Sequence, residues 1–268
     1  MIATTLQTAA DPLAPVRETL RAMAARADQP PLNGIAPELT VSDPTGWVPA
    51  TALVSGEALD DLLDTAKERW QATPHAAAAL AWKCYVYWLA LPAVLGYAAA
   101  RRVPLVRPDG IVAKWSSHPP FVTIGLTSVE VAVLPSDPIL DSRTTRRAAG
   151  IRVVPDEDAL LEALREALME EHLAPILENI KTRLHLGRRT LWGSLASGVA
   201  HGLSRAADVV PEPTLEMALR VLAGLGLDDL VELSPGQDGR AGLNVQRRTC
   251  CLAFTLPEPK ICTGCCIR

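Results

Sequence analysis

Five of the six cysteines stand in the last nineteen residues of the sequence: Cys250 and Cys251 side by side, then Cys262, Cys265 and Cys266 after a gap of ten. No other feature constrains the chain as strongly. Four thiolates delivered by one short segment can hold a metal ion or an iron–sulfur cluster without the rest of the chain converging on the site. The two-residue gap between Cys262 and Cys265 lets both sulfurs reach one ion. Cys250 and Cys251 need more. Adjacent residues of an extended segment point to opposite faces, so only a kinked backbone turns both toward one site.

The first residues lack a basic stretch followed by an apolar run, so no signal peptide is expected and the expected compartment is the reducing cytoplasm. There, clustered cysteines bind metals more often than they form disulfides. Spacing leaves three chemistries open. A zinc tetrahedron of four thiolates favours paired gaps that Cys250-Cys251 does not supply. A disulfide staple suits a small secreted domain. A 2Fe–2S cluster spreads four ligands over two irons and tolerates irregular spacing. Cys84, far from the others in sequence, reads as a small buried hydrophobe.

With 268 residues, 49% apolar and 21% charged, the chain can bury one large core or two small ones. Its net charge of −4 argues against a nucleic-acid partner, which demands a dominant basic surface. Helical periodicity runs over residues 12–27, 55–72, 75–101, 156–186, 188–206 and 213–226. Short Val-, Ile- and Thr-rich stretches at Ile111–Trp115, 121–126 and 129–134 read as strands, and 252–256 as a last one. The expectation is an α+β fold with a helical N-terminal half, a small central antiparallel sheet and a C-terminal helical half. It divides into residues 1–109, 110–240 and a cysteine-rich cluster-binding tail at 241–268, with a turn-rich linker at 234–240. Between His75 and Arg101 the only charge is Lys83. That segment approaches the length of a membrane span. It is read as a buried core helix, because there is no second such segment and little flanking basic asymmetry.

Cys-Cys-x10-Cys-x2-Cys resembles the C-terminal signature of the FhuF-like ferric-siderophore reductases. Arg248-Thr-Cys-Cys-Leu-Ala-Phe-Thr-Leu-Pro257 is similar to that family's basic, Cys-Cys, aliphatic, aromatic, Leu-Pro run. Arg188-Arg-Thr-Leu-Trp-Gly-Ser-Leu-Ala-Ser197 resembles its Leu-Trp-Gly helix start, which also recurs in aerobactin-type siderophore synthetases. The resemblance covers residues from about 110 onward; before that only helical character matches. It implies a cytoplasmic oxidoreductase holding a 2Fe–2S cluster on Cys250, Cys251, Cys262 and Cys265. Cys266 stands where the family often has another residue, and it reads as a spare thiol.

The implied reaction is the one-electron reduction of iron(III) in a hydroxamate-type siderophore, with release of iron(II). Hydroxamate oxygens are hard donors that suit iron(III) far better than iron(II). Arg247, Arg248 and Lys260 flank the cysteines, and their charge is expected to favour a reduced, more negative cluster. Gly224-Leu-Gly226 never completes a dinucleotide fingerprint, so an external electron donor such as a ferredoxin or flavin reductase is implied. Trp115, Ser117, His118, Arg188, Arg189 and Trp192 are the substrate-groove candidates. His172, His185 and His201 lack metal-ligand spacing and read as satisfied or exposed. Peripheral membrane association is compatible with the apolar segment. The competing class is a non-catalytic iron–sulfur electron carrier or redox sensor, or a structural zinc protein.

Overall fold

A computed structural model describes residues 11–141, 150–236 and 242–267. Helix α1 (Ala14–Ala24) leads into strand β1 (Ile35–Thr40), and the two-residue β2 (Val48–Pro49) runs directly into α2 (Ala50–Val54). Next come α3 (Leu59–Trp70) and the long α4 (Pro74–Ala100). The middle of the chain supplies β3 (Arg102–Pro104), β4 (Ile111–Trp115), β5 (Val122–Leu126), β6 (Val131–Val133) and β7 (Ile151–Val153). Helices α5 (Glu157–Arg165), α6 (Ala174–Leu184), α7 (Arg188–Arg205) and α8 (Thr214–Gly224) follow. An antiparallel pair, β8 (Val231–Pro235) and β9 (Leu243–Arg247), brings the chain to the cysteine tail. The fold is α+β.

Helix α4 is apolar on nearly every face because it is enclosed on nearly every face; between Ala76 and Ala98 only the stripe Lys83, Cys84, Tyr87 and Trp88 is half-buried. Ala76 through Trp82, and then Leu89 through Ala98, are all buried. Pro74 sits where its missing N–H costs nothing, and the Thr73 side chain accepts a hydrogen bond from the Ala76 amide at the start. Arg101 ends the helix at φ 52°. Among the described residues α4 is the one helix long and apolar enough to cross a membrane, and 78% of its most apolar window is buried in protein.

The periodicity over 156–186 is one continuous helical rod in three parts. Asp156 caps α5 by accepting from the Ala159 amide at 2.9 Å. Residues Glu166–Leu173 widen into a π-helix, and α6 resumes at Ala174. Pro175 explains the change. It has no amide to donate four residues back and its ring crowds that carbonyl, so the turn before it opens.

Two sheets flank the helices. The first has strand order β1-β5-β4-β2, antiparallel where β4 meets β5 and β2, parallel where β1 joins β5. The second is β3-β6-β7, antiparallel then parallel. Sequence periodicity locates β4, β5 and β6 but not the short strands around them. Residues 252–256, expected as a strand, instead hold a 3-10 turn at Ala253–Thr255. Leu252 takes φ 61°, a left-handed conformation that no strand can contain. Of the expected linker, Ser234 and Pro235 close β8, while 237–240 lie outside the described residues.

Buried residues from Leu13 to Val245 pack into one contiguous core that runs through both helical halves. A satellite core joins Leu80 on α4 to Cys251, Ala253 and Leu256 of the tail. The tail is thereby docked on the first half of α4.

Candidate functional site

The cysteine tail is built against β9 and α7. After Arg247 the chain turns away, passes the 3-10 turn and returns, so that the segment 262–265 lies along β9. The Arg247 amide donates to the Gly264 carbonyl at 2.9 Å, and the Gln246 side-chain amide donates to the Cys265 carbonyl at 2.9 Å. Gly264 is required there, since a Cβ would stand 1.8 Å from the Val245 carbonyl oxygen. Cys262 and Cys265 share one turn, the Cys265 amide donating to the Cys262 carbonyl at 3.1 Å. Leu252, directly after the adjacent cysteines, is left-handed, and its amide donates to the Cys250 sulfur at 3.3 Å.

The four expected ligands differ in setting. Cys251 and Cys265 are buried, Cys250 is half-buried and Cys262 is exposed. Cys266 lies near Cys250 and Cys265; burial, and then those two sulfurs, raise its thiol pKa. Cys251 faces the satellite core. Among the described residues no three His, Cys, Asp or Glu side chains are grouped as one ion would require.

Arg247 is the group the sequence underrates. Only 5% of it is exposed. Its Nη2 donates to Ser194 Oγ on α7 at 3.1 Å, while Nε and Nη1 are buried with no hydrogen-bond partner. No carboxylate pairs with it among the described residues. A buried guanidinium left this way is costly unless an anion completes its shell. Arg248, read together with it from sequence, is exposed and donates to Glu232 at 2.9 Å. The amide aimed at the Cys250 sulfur and the buried unmatched cation suit an anionic group beside Cys250, but among the described residues Cys250, Cys251, Cys262 and Cys265 are not brought together as one ligand set.

Beside the tail, α4 and α7 enclose a groove of about 410 Å³. Lys83, Cys84, Tyr87 and Trp88 line it from α4; Ser194, Ser197, Gly198, His201, Ser204 and Arg205 line it from α7. Each set repeats at three and four residues, the spacing of one helical face. The small residues of α7 let the two helices approach: a Cβ at Gly198 would meet the Tyr87 Cα at 3.5 Å. The Trp82 indole N–H ties the helices by donating to the Leu191 carbonyl at 2.8 Å. Burial pushes the Cys84 thiol up to about 11, so it stays protonated at neutral pH. His201 is exposed at the mouth of the groove, yet crowding by protein, and then the Lys83 and Arg247 charges, lower its pKa.

The groove residues are not those expected from sequence. Arg188 pairs with Glu178 and Arg189 with Asp229 on the surface. Trp192 packs edge-on against Trp82, with ring centroids 6.1 Å apart. The Trp115 indole donates to Asp61, and His118 and Ser117 stand in an exposed turn. His172 is a satisfied core histidine, 2.7 Å from both the Tyr85 hydroxyl and the Val106 carbonyl. The signal that marks the groove in sequence is the small polar stripe Ser194, Ser197, Gly198, His201 facing an otherwise apolar helix whose one charge is Lys83. Compared with protein-family models and with curated proteins, this chain has no match.

Proposed function

We propose that this protein is a cytoplasmic ferric-siderophore reductase that reduces iron(III) in a hydroxamate-type siderophore by one electron and releases iron(II). The observation that carries the reading is the meeting of the cysteine tail and the groove at Arg247 and Ser194. Ser194 lines the groove, and Arg247, three residues before Cys250, bonds to it. A 2Fe–2S cluster, when bound, supplies single electrons at low potential.

The chain's own residues do the rest. Cys250, Cys251, Cys262 and Cys265 would hold the group. The Leu252 amide stabilises charge on the Cys250 sulfur, and Arg247 favours added negative charge nearby. Tyr87 and Trp88 offer apolar area for the ligand backbone of a chelate, while Ser204 offers a hydroxyl whose proton is not used among the described residues. The substrate iron leaves because hydroxamate oxygens, well matched to iron(III), hold iron(II) weakly. The chain carries no nucleotide motif, so an external donor, such as a ferredoxin or flavin reductase, would return the electron. The exposed Ile261, Phe254 and Ile267 surround the outer edge of the tail, where such a donor would dock.

The test is stopped-flow reoxidation of the chemically reduced protein by a ferric trihydroxamate, with a ferrous trap present. Saturating reoxidation, one electron per protein, together with colour from trapped iron(II), is expected. Rates no faster than with a non-biological ferric chelate of similar potential, without saturation, would leave an electron carrier as the better account.

A further inference from the structure

We infer that the groove between α4 and α7 selects an anionic ligand, and, resting on the reductase reading, that its substrate class is the carboxylate-bearing hydroxamate chelate rather than the cationic one. The inference stands on where the chain leaves its cations unmatched. Acidic residues outnumber Lys and Arg by 30 to 26. Most described arginines accordingly have a carboxylate within ion-pair distance, as Arg101, Arg107, Arg165 and Arg188 do. Lys83, Arg205 and Arg247 do not, and these three belong to one region; Arg69, Lys114 and Lys260 also lack an ion pair among the described residues but stand elsewhere, Lys114 over the Trp47 ring and Arg69 and Lys260 in a cleft shared with Glu258. Lys83 and Arg205 line the groove, whose wall contains no Asp or Glu. Arg247 reaches its wall through Ser194.

Arg205 is committed only to neutral oxygens. Its Nη1 donates to the Tyr87 hydroxyl at 2.8 Å and its Nη2 to the Pro30 carbonyl, while its buried Nε has no partner. The groove therefore keeps the Arg205 guanidinium uncompensated by protein, with a buried N–H unused, and adds the Lys83 ammonium on the facing helix, while Arg247 stands behind its Ser194 wall. Low-dielectric walls of Trp88, Tyr87 and Gly198 strengthen any interaction with an entering anion. A cationic ligand would meet the same field as repulsion. His201 stays neutral near pH 7 and adds a hydrogen-bonding group without reversing the sign.

The experiment uses a charge-switched pair on one coordination core. Desferrioxamine B is loaded with gallium(III), a redox-inert substitute for iron(III). It is compared with its N-succinyl derivative, in which a carboxylate replaces the free ammonium. Titration calorimetry on the full chain should give a Kd at least about tenfold lower for the carboxylate form, a difference that shrinks as salt rises. Lys83→Gln should cut that preference about threefold to tenfold, and Lys83→Glu should abolish or reverse it. Circular dichroism checks that each variant keeps its fold. Equal affinity for the two chelates, or a preference untouched by Lys83→Glu, overturns the inference while leaving the reductase reading in place. Binding of neither chelate overturns both.

Discussion

The Arg247 guanidinium and the Ser194 hydroxyl, 53 residues apart in sequence, meet at 3.1 Å between the cysteine tail and the α4–α7 groove. Arg247 is buried and otherwise unpartnered, whereas its neighbour Arg248 is exposed and paired with Glu232. Two adjacent arginines thus occupy opposite electrostatic situations. Arg247→Met should lower the midpoint potential of the cluster-loaded protein, because less positive charge then faces the reduced state. In the metal-free protein the same change should raise stability, by about 1 kcal/mol or more, since it removes a buried charge with no counter-ion. Arg248→Gln should alter neither. Anaerobic redox titration and urea melts check both arms; equal effects of the two substitutions would show that burial does not separate these residues.

Ligation by the tail is tested one thiol at a time. Cys250→Ser, Cys251→Ser, Cys262→Ser and Cys265→Ser should each bleach or shift the visible spectrum, because a hard oxygen replaces a soft thiolate. Cys266→Ser should leave the spectrum nearly unchanged. Cys266 lies close to Cys250 and Cys265, so it is the one thiol placed to substitute for a lost neighbour. A bleached Cys266→Ser beside an intact Cys265→Ser would exchange their roles.

The long helices were legible because their signal is local. The apolar run from 76 to 100, broken only by Lys83, reads as one long helix, and Asp156 ahead of an acidic first turn is a helix-start signal. The strands β3 and β7 were not legible. Each has three residues, and each is held by β6 rather than by its own pattern. The cysteines announced themselves, yet their setting did not. The difference between Arg247 and Arg248 depends on α7 covering one and Glu232 reaching the other. The groove was hidden for a related reason. Its two faces are separated by more than a hundred residues, and each alone resembles ordinary small-residue packing.

His172 makes stability depend on pH. Burial beside Tyr85 lowers its pKa to about 4, against an ordinary value near 6.5. The unfolded chain therefore binds more protons than the folded one between those values, and stability rises with pH across that window. The contribution is complete above pH 6.5 and is lost as pH falls toward 4, by on the order of 3 kcal/mol. Urea melts from pH 4 to 7 should show this slope. His172→Gln should flatten it at the cost of overall stability, while His201→Gln, at an exposed position, should keep most of it. A wild-type slope that survives His172→Gln would assign the linkage elsewhere.

Gly193 leaves room for Thr249 where α7 meets the tail. A Cβ at Gly193 would stand 1.9 Å from Thr249 Oγ1 and 2.7 Å from its Cβ. The threonine side chain branches at Cβ and has little room to turn away. Gly193→Ala should therefore push residue 249 off α7, at a cost of about 1–3 kcal/mol as for other overpacked sites. The displacement falls one residue before Cys250, so the amount of cluster retained on purification should fall with it. Thr249→Ala alone removes a hydroxyl that is buried with no hydrogen-bond partner, and should be tolerated. Combining Gly193→Ala with Thr249→Ala removes the contacts to Oγ1 and Cγ2 but keeps the Cβ at 2.7 Å, so it should recover part of both stability and cluster content. A double variant no better than Gly193→Ala would mean that the glycine serves the helix itself rather than its contact with the tail.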